Sequence, residues 1–240
     1  MLFRSARVIE NAHADGESPE KILKYVQEAE EILDKTKEFH AHEEVSRKYH
    51  DKRGLMRYYK NSLQAKDEES RIIDAAKKQN DPWKLKGINA RWGNRLDEWT
   101  LSVGEEKGVL KSKWSNKWTE WTFSLPQGKG EMAARWGNKW TEWKYSADGV
   151  AISVETRFSN KLDQWVVSDD KGNKIVVEAR FSNKWTDWKI KGPKGIIKIS
   201  TRWSNKISEW VIEDYMPGES VHLKMAAIFP CLMVACDIIQ

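Results

Sequence analysis

The chain has 240 residues, of which 40% are hydrophobic and 32% are charged, and its formal net charge is +5. This composition is typical of a globular protein that can build a core, and the two cysteines exclude a disulfide framework and indicate a reducing compartment. Residues 1–82 carry 16 Lys and Arg against 17 Asp and Glu, whereas residues 83–240 carry 25 against 19. The basic excess therefore favours an anionic partner for the second part.

The first residues, Met1 to Arg7, contain two arginines but no apolar segment. A secretory signal needs an apolar core of about 7–15 residues. We therefore expect a cytoplasmic protein, with peripheral attachment to a membrane as the alternative.

Residues 18–80 are predicted to form two helices. The first begins at Ser18-Pro19, because Ser is a preferred N-cap and Pro suits the first helical position. Apolar residues then recur with the spacing of an amphipathic helix, namely Ile22, Val26, Ala29 and Leu33. Gly54 is predicted to separate the helices, and the second runs from about Leu55 to just before Pro82, since Pro disfavours helix at the residue preceding it.

The simplest arrangement of these helices is an antiparallel hairpin within residues 1–82. Such a hairpin either packs on the neighbouring domain or serves as a docking arm for another protein, and the sequence leaves both readings open. His40, His42 and His50 lie nearby, but no two of them are three or four residues apart, the spacing that shares a helical face. We expect surface histidines there, not a metal site.

From Lys84 onward, a nine-residue unit occurs six times. Its third copy reads Arg135-Trp-Gly-Asn-Lys-Trp-Thr-Glu-Trp143, and each copy contains a cation, a first aromatic, an Asn, a Lys or Arg, and a closing Trp. The first aromatics, spaced by 22 residues and once by 23, are Trp92, Trp114, Trp136, Phe158, Phe181 and Trp203. The closing tryptophans are Trp99, Trp121, Trp143, Trp165, Trp188 and Trp210. This regularity indicates a repeat architecture.

The residues around each unit alternate with a period of two, which predicts half-buried β-strands. In the third copy, Met132, Ala134 and Trp136 share one face. The segment Asn138-Lys139-Trp140-Thr141 is predicted to be a four-residue hairpin loop. That loop would place the first aromatic opposite the closing Trp on one face, so both are expected to pack in the interior. Turns containing Gly, such as Lys171-Gly172-Asn173, join one unit to the next.

Six hairpins give twelve antiparallel strands. An open sheet of this width would leave two edges and an apolar face uncovered, so we predict a closed barrel. A barrel this wide leaves a lumen that apolar residues must fill. A repeat solenoid is the rival fold, but it would stack the like charges of successive units, which is unfavourable.

The C-terminal segment supplies a candidate for the lumen. Met225 to Ile239 is an almost unbroken apolar run of 15 residues, shorter than the roughly 20 that span a bilayer. A helix that is apolar all round is buried in protein or in lipid, and we predict that it runs through the barrel, either kinked at Pro230 or starting there. The predicted fold is α+β: a helical hairpin (1–82), then a twelve-stranded antiparallel β-barrel of six hairpin repeats enclosing a C-terminal apolar helix (83–240).

This combination of twelve strands and a C-terminal apolar helix resembles the superfamily of tubby C-terminal domains, LURP-one-related proteins and phospholipid scramblases. The segments Val221-His-Leu-Lys-Met-Ala-Ala227 and Ala235-Cys-Asp-Ile238 are similar to the scramblase C-terminal segment. The resemblance implies the barrel fold and a module acting at membranes. The regular Trp repeat departs from that superfamily, and its Ca²⁺-binding and phosphoinositide-binding residues have no counterparts that can be placed here.

The sequence contains none of the motifs that indicate catalysis, such as a phosphate-binding Gly loop, a nucleophile elbow or a metal-ligand set. We therefore predict a non-enzymatic protein without a cofactor or metal. The Arg and Glu of each repeat are expected to form ion pairs on the outer face of the sheet, with cation–π contacts to the aromatics.

The predicted site is a basic rim, because the six hairpin loops of an up-and-down barrel emerge at one end. It comprises Arg95, Lys117, Trp118, Lys139, Trp140, Lys161, Lys184, Trp185 and Lys206. Cations with interfacial Trp suit an anionic phospholipid surface, and the same rim, with the helical arm, could dock on subunits of a protein complex. A lectin-like glycan site in each repeat and a purely structural subunit are the alternatives, and nucleic acid is disfavoured.

Overall fold

The computed structural model describes residues 19–35, 43–93, 95–114, 117–137, 139–147, 149–159, 161–181, 184–204 and 206–239. The chain divides into two compact units, Met1–Arg71 and Ile72–Gln240. The expectations for the N-terminus, Ser18, His40 and His42 lie outside the described residues.

The first unit contains helix α1 (Pro19–Lys35) and most of helix α2 (Glu43–Lys77). The predicted start of α1 is confirmed, but the predicted break at Gly54 is wrong because α2 continues through that residue. An isolated glycine costs a helix only about 1 kcal/mol relative to alanine, too little to interrupt 35 residues. Both helices contribute to one small buried cluster, which consists of Ile22, Val26, Ala29 and Leu63.

The second unit is built on twelve antiparallel strands. They are β1 (Leu85–Trp92), β2 (Arg95–Val103), β3 (Glu106–Trp114), β4 (Lys117–Leu125), β5 (Gly128–Trp136), β6 (Lys139–Ala147), β7 (Val150–Thr156), β8 (Gln164–Asp169), β9 (Lys174–Phe181), β10 (Lys184–Gly192), β11 (Gly195–Trp203) and β12 (Lys206–Tyr215). Each strand pairs with its neighbours in sequence, and β1 pairs with β12, so the sheet closes into a barrel as predicted.

The connection inside most repeats is shorter than predicted. Trp136 pairs with Lys139, so only two positions separate the paired residues, and the expected four-residue loop at 138–141 is wrong. The same pairing occurs for Trp92 with Arg95, Trp114 with Lys117, Phe181 with Lys184, and Trp203 with Lys206. Gly-Asn and Ser-Asn follow these aromatics in the sequence, and Gly and Asn favour two-residue hairpin turns. In the fourth repeat β7 ends before Phe158, which lies in a longer connection.

A bulge beside each of these turns changes the face of the first aromatic. Ala134 pairs with Trp143, whereas Trp136 pairs with Lys139, so two steps along β5 match four along β6. Met132 and Trp143 are buried as predicted, but Trp136 is 53% exposed. The prediction that the first aromatics pack inside is therefore wrong, because the extra residues of the bulge turn the end of the strand outward.

The closing tryptophans occupy the interior positions and also hold the bulges. All six are buried, and each indole N–H donates to the backbone carbonyl three residues earlier. The N···O distances are 2.7 Å for Trp99, 2.7 Å for Trp121, 2.9 Å for Trp143, 2.8 Å for Trp165, 2.8 Å for Trp188 and 2.6 Å for Trp210. Each of these bonds gives a buried indole N–H the hydrogen-bond partner that it needs.

Helix α3 (Val221–Ile239) follows the last strand and is apolar on every side. Its side chains are buried from Val221 to Cys236 and belong to the same core cluster as the barrel strands. The ring of Phe229 lies 5.8 Å from that of Trp121 and 4.9 Å from that of Trp143. The helix begins at Val221 and continues through Pro230, so the alternative in which it starts at Pro230 is wrong. Among the described residues, we find no helix with the length and apolar character to cross a membrane.

A buried ion cluster anchors the start of α3. Lys224 is fully buried, and its Nζ lies 2.8 Å from carboxylate oxygens of both Asp81 and Asp214. Asp214 also accepts the backbone N–H groups of Leu85 and Met216 at 3.0 and 2.9 Å. The cluster therefore joins the first strand, the last strand and the helix at the place where the barrel closes.

Candidate functional site at the hairpin end of the barrel

The connections within the repeats all lie at one end of the barrel, because successive strands of the closed sheet run antiparallel. We call this the hairpin end, and the opposite end, where one repeat passes to the next, the joint end. Arg95, Lys117, Lys139, Lys184 and Lys206 are the first residues of even-numbered strands, and Lys161 lies in the connection between β7 and β8. The structure thus brings the six predicted cations to the hairpin end.

Several of these cations are already engaged. Arg95 Nη2 lies 2.5 Å from Asp97 Oδ2, and Lys206 is paired with Glu209. The hydrogen bond from Lys206 lowers the pKa of the Glu209 carboxyl, although burial opposes the shift. Pairing of this kind reduces the positive potential that the rim presents to an anionic partner.

Two other rim cations lie over aromatic rings. Lys161 Nζ is 5.8 Å from the centroid of the Phe158 ring, and Lys184 Nζ is 5.5 Å from that of Phe181. Both side chains are exposed. A cation held over a ring face keeps its charge available to a second partner, since the ring carries no net charge.

The three predicted rim tryptophans differ in exposure. Trp118 and Trp185 are half-buried against the core, with ring centroids 5.5 and 5.8 Å from the neighbouring closing tryptophans. Trp140 is 36% exposed. Trp118 and Trp185 therefore contribute to packing, and of the three only Trp140 presents a substantial surface.

The largest exposed apolar groups at this end are the first aromatics, which the sequence placed in the interior. Their exposed fractions are 54% for Trp92, 53% for Trp114, 53% for Trp136, 50% for Phe158, 52% for Phe181 and 61% for Trp203. We call these six residues the aromatic belt. The Gly-Asn or Ser-Asn dipeptide directly after each aromatic was the sequence signal that could have predicted this exposure. A two-residue turn at that dipeptide pairs the strands differently from a four-residue loop.

Each belt residue sits among charged groups on the outer face. In the third repeat the Arg135 guanidinium lies 5.6 Å from the centre of the Trp136 ring and 3.5 Å from Glu142. The Trp136 indole N–H donates to the same Glu142 carboxylate at 3.0 Å. Guanidinium groups also lie 5.4–5.7 Å from the rings of Trp92, Phe158 and Phe181. These contacts hold the rings outside the barrel.

The outer ion pairs predicted from the repeat are confirmed. They include Arg91 with Glu98, Lys113 with Glu120, Arg135 with Glu142, and Arg180 with Asp187. Hydrogen bonding from Arg91 lowers the pKa of Glu98, with burial opposing it and the charges of Arg91 and Lys111 adding to it. The belt is thus an array of exposed rings, each held beside a cation and an acid.

The chemistry of this end is that of a binding surface. Within the described part of the chain, no group of three or more His, Cys, Asp or Glu side chains is arranged to hold a metal ion. Comparison with known proteins found no matching family model, no matching curated protein and no matching solved structure. The function has to be inferred from the surface itself.

Proposed function

We propose that this chain is a non-enzymatic binding module that docks through its hairpin end on an anionic membrane surface. The observation that carries the proposal is the aromatic belt. Its six side chains lie at one end of the barrel, and each is at least half exposed. Exposed aromatic groups concentrated in one place mark interaction surfaces. Trp favours the interface between a membrane and water.

The charges near the belt favour an anionic surface over a neutral one. Lys161 and Lys184 lie over aromatic rings and are exposed, so a lipid phosphate can approach them from the solvent side. A cation near anionic lipid contributes about 1 kcal/mol. The ion-paired cations add little, and the rings supply the remaining affinity.

The rest of the barrel is the support that holds the belt in place. We propose that α3 fills the barrel lumen and that the six repeats act as equivalent hairpins around it. The support is the burial of α3 from Val221 to Cys236 and the contacts of Phe229 with closing tryptophans. We also propose membership of the tubby-like superfamily, on the number of strands, their closure and the buried C-terminal helix. The helices of the first unit remain a proposed arm for a protein partner.

Co-sedimentation with vesicles tests the contribution of the rings. A half-exposed Trp side chain has roughly 100 Å² of accessible surface. Burying half of that area in the membrane contributes about 1 kcal/mol to binding. Replacing Trp114, Trp136 and Trp203 together by Ala is expected to weaken binding to phosphatidylserine vesicles about a hundredfold. Tyr58→Ala is the control, because Tyr58 is at least as exposed as these tryptophans but lies on α2. Equal binding by the triple variant and the control would refute the proposal.

Charge reversal tests the choice of lipid. The double substitution Lys161→Glu and Lys184→Glu is expected to reduce binding to anionic vesicles at least tenfold, roughly 1 kcal/mol for each cation lost, and to leave binding to neutral vesicles unchanged. The double substitution Lys107→Glu and Lys129→Glu makes the same charge change on two exposed residues at the joint end. A loss as large for this control would show that only net charge matters.

Glycan binding is the second candidate. It is favoured by the recurrence of an exposed ring beside a cation and an acid, because sugars stack on aromatic rings and hydrogen-bond to charged groups. The triple Trp variant separates the two functions on a glycan array. Retention of vesicle binding with loss of glycan binding would favour this second candidate.

A further inference from the structure

Lys224 differs from every other cation that forms an ion pair within the described part of the chain. In the other described pairs, the Lys or Arg side chain is at least 39% exposed. The Lys224 side chain is fully buried, and its Nζ lies 2.8 Å from an oxygen of Asp81 and 2.8 Å from an oxygen of Asp214. Water solvates the other cations, whereas this amine is shielded from water and held between two carboxyl groups.

The two carboxyl groups have different surroundings. Asp214 is fully buried, and its Oδ2 and Oδ1 accept the backbone N–H groups of Leu85 and Met216. Asp81 is 9% exposed, and its Oδ1 accepts the backbone N–H of Trp83 while its Oδ2 contacts the ammonium group. Loss of either Asp214 oxygen breaks a backbone hydrogen bond, whereas loss of Asp81 Oδ2 breaks none among the described residues. Asp81 is therefore the carboxyl group that can give up an oxygen.

We propose that Lys224 and Asp81 condense to form an amide bond inside the protein, with Asp214 moving the protons. The ammonium group gives one proton to Asp214, and the resulting amine attacks the carboxyl carbon of Asp81. Asp214 passes that proton to Asp81 Oδ2, which takes a second proton from the nitrogen and leaves as water. One carboxylate and one ammonium thus give one neutral amide and one water, no oxidant or activating group is needed, and Asp214 ends as a carboxylate again.

Proximity, burial and an exit for water favour this reaction. A nitrogen in hydrogen-bond contact with a carboxylate oxygen lies within about 4 Å of the carboxyl carbon, and aligned groups held in this way reach effective concentrations of roughly 10⁵–10⁸ M. Burying an ion pair is costly, and condensation replaces two charges by a neutral group. Asp81 also lines a cavity of about 520 Å³ at the joint end of the barrel, into which the released water can pass.

The amide keeps the polar groups of the site paired and ties the two ends of the barrel together. Its N–H faces Asp214, and the remaining Asp81 oxygen keeps the N–H of Trp83. The bond joins the segment before β1 to α3, so all twelve strands lie within the loop that it closes. A cross-link that closes a long loop restricts the unfolded chain and so stabilises the fold. This modification goes beyond membrane docking and uses none of the belt residues.

Mass spectrometry of the full chain under denaturing conditions tests the bond. The wild-type protein is expected to be lighter than its sequence by the mass of one water, and a tryptic digest is expected to contain a branched peptide that joins Asp81 to Lys224. Wild-type protein at the full mass of its sequence would overturn the proposal. The same holds if the loss maps to a linear peptide, as cyclisation of the aspartate at Asp148-Gly149 would give. A branch at Asp214 would refute the roles assigned to the two carboxyl groups.

Three variants connect the loss of water to the named groups. Lys224→Met and folded Asp214→Asn are expected to have the full masses of their sequences, because the first lacks the amine and the second lacks the carboxylate that moves the protons. Lys194→Met removes a half-exposed lysine paired with Glu219 and is the control, expected to be lighter by one water like the wild type. Loss of water in Lys224→Met, or an undiminished loss in folded Asp214→Asn, would contradict the mechanism. The mass and peptide map of the wild type decide the matter if a variant does not fold.

Discussion

Replacing Lys224 by Met would remove the only cation of the ion cluster formed by Lys224, Asp81 and Asp214. Lys224 and Asp214 have fully buried side chains, and Asp81 is 9% exposed. Since each carboxylate oxygen lies 2.8 Å from the same Nζ, the two oxygens are at most twice that distance apart. The substitution therefore leaves two neighbouring like charges, one of them fully buried and the other with little access to solvent.

The expected cost follows from that geometry. Removing one partner of a buried ion pair typically destabilises a protein by about 3–5 kcal/mol, because the remaining charge is left uncompensated. For a unit of this size, such a loss lowers the melting temperature by roughly 6–20 °C. Adding Asp81→Asn to Lys224→Met removes one of the two stranded charges and is expected to restore about 1–2 kcal/mol.

Denaturant unfolding followed by tryptophan fluorescence measures this loss. All 14 tryptophans lie between Trp83 and Trp210, so the signal reports the second unit alone. Lys129→Met is the control, because Lys129 is an exposed lysine whose loss should change stability by less than about 0.5 kcal/mol. If Lys224→Met lowers the free energy of unfolding by no more than about 1 kcal/mol beyond the control, the expectation that this cluster stabilises the closed barrel is refuted.

Two further predictions concern the repeat. Trp99→Phe is expected to lower the free energy of unfolding by about 2–4 kcal/mol, since it leaves a cavity and an unpaired Leu96 carbonyl. Trp92→Phe in the same repeat should lower it by less than about 0.5 kcal/mol, because Trp92 is exposed. Similar losses of unfolding free energy for the two variants, measured by denaturant unfolding, would contradict the placement of Trp99 inside the barrel and Trp92 outside it. Glu98→Gln should destabilise the fold more at pH 7 than at pH 2. Its pKa is lowered from 4.5 mainly by the hydrogen bond from Arg91, so the carboxylate stabilises the fold above its unfolded-state pKa and loses this effect as the pH falls through the lowered value. A pH-independent difference between the variant and the wild type would contradict it.

The sequence by itself determined the closed barrel. The period of 22 residues and the alternation of buried and exposed residues require twelve strands of similar length, and an apolar face that wide has to close. It also determined which cations reach one end, because Arg95 and its five equivalents follow the turns in an antiparallel sheet. The outer ion pairs follow from the same alternation, since Arg135 and Glu142 lie on the face opposite Met132 and Trp143.

Only the tertiary structure decided which aromatic of each repeat faces the solvent. Alternation along β5 places Trp136 on the same face as Ala134, and a regular hairpin would keep it inside. The bulge on β6 instead turns Trp136 outward, while Trp143 stays in the interior, where its indole N–H donates to the carbonyl of Trp140. The short turn, the Arg135 guanidinium and the Glu142 carboxylate then hold Trp136 outside. Pairing between strands sets this register, and a pattern read along one strand does not contain it.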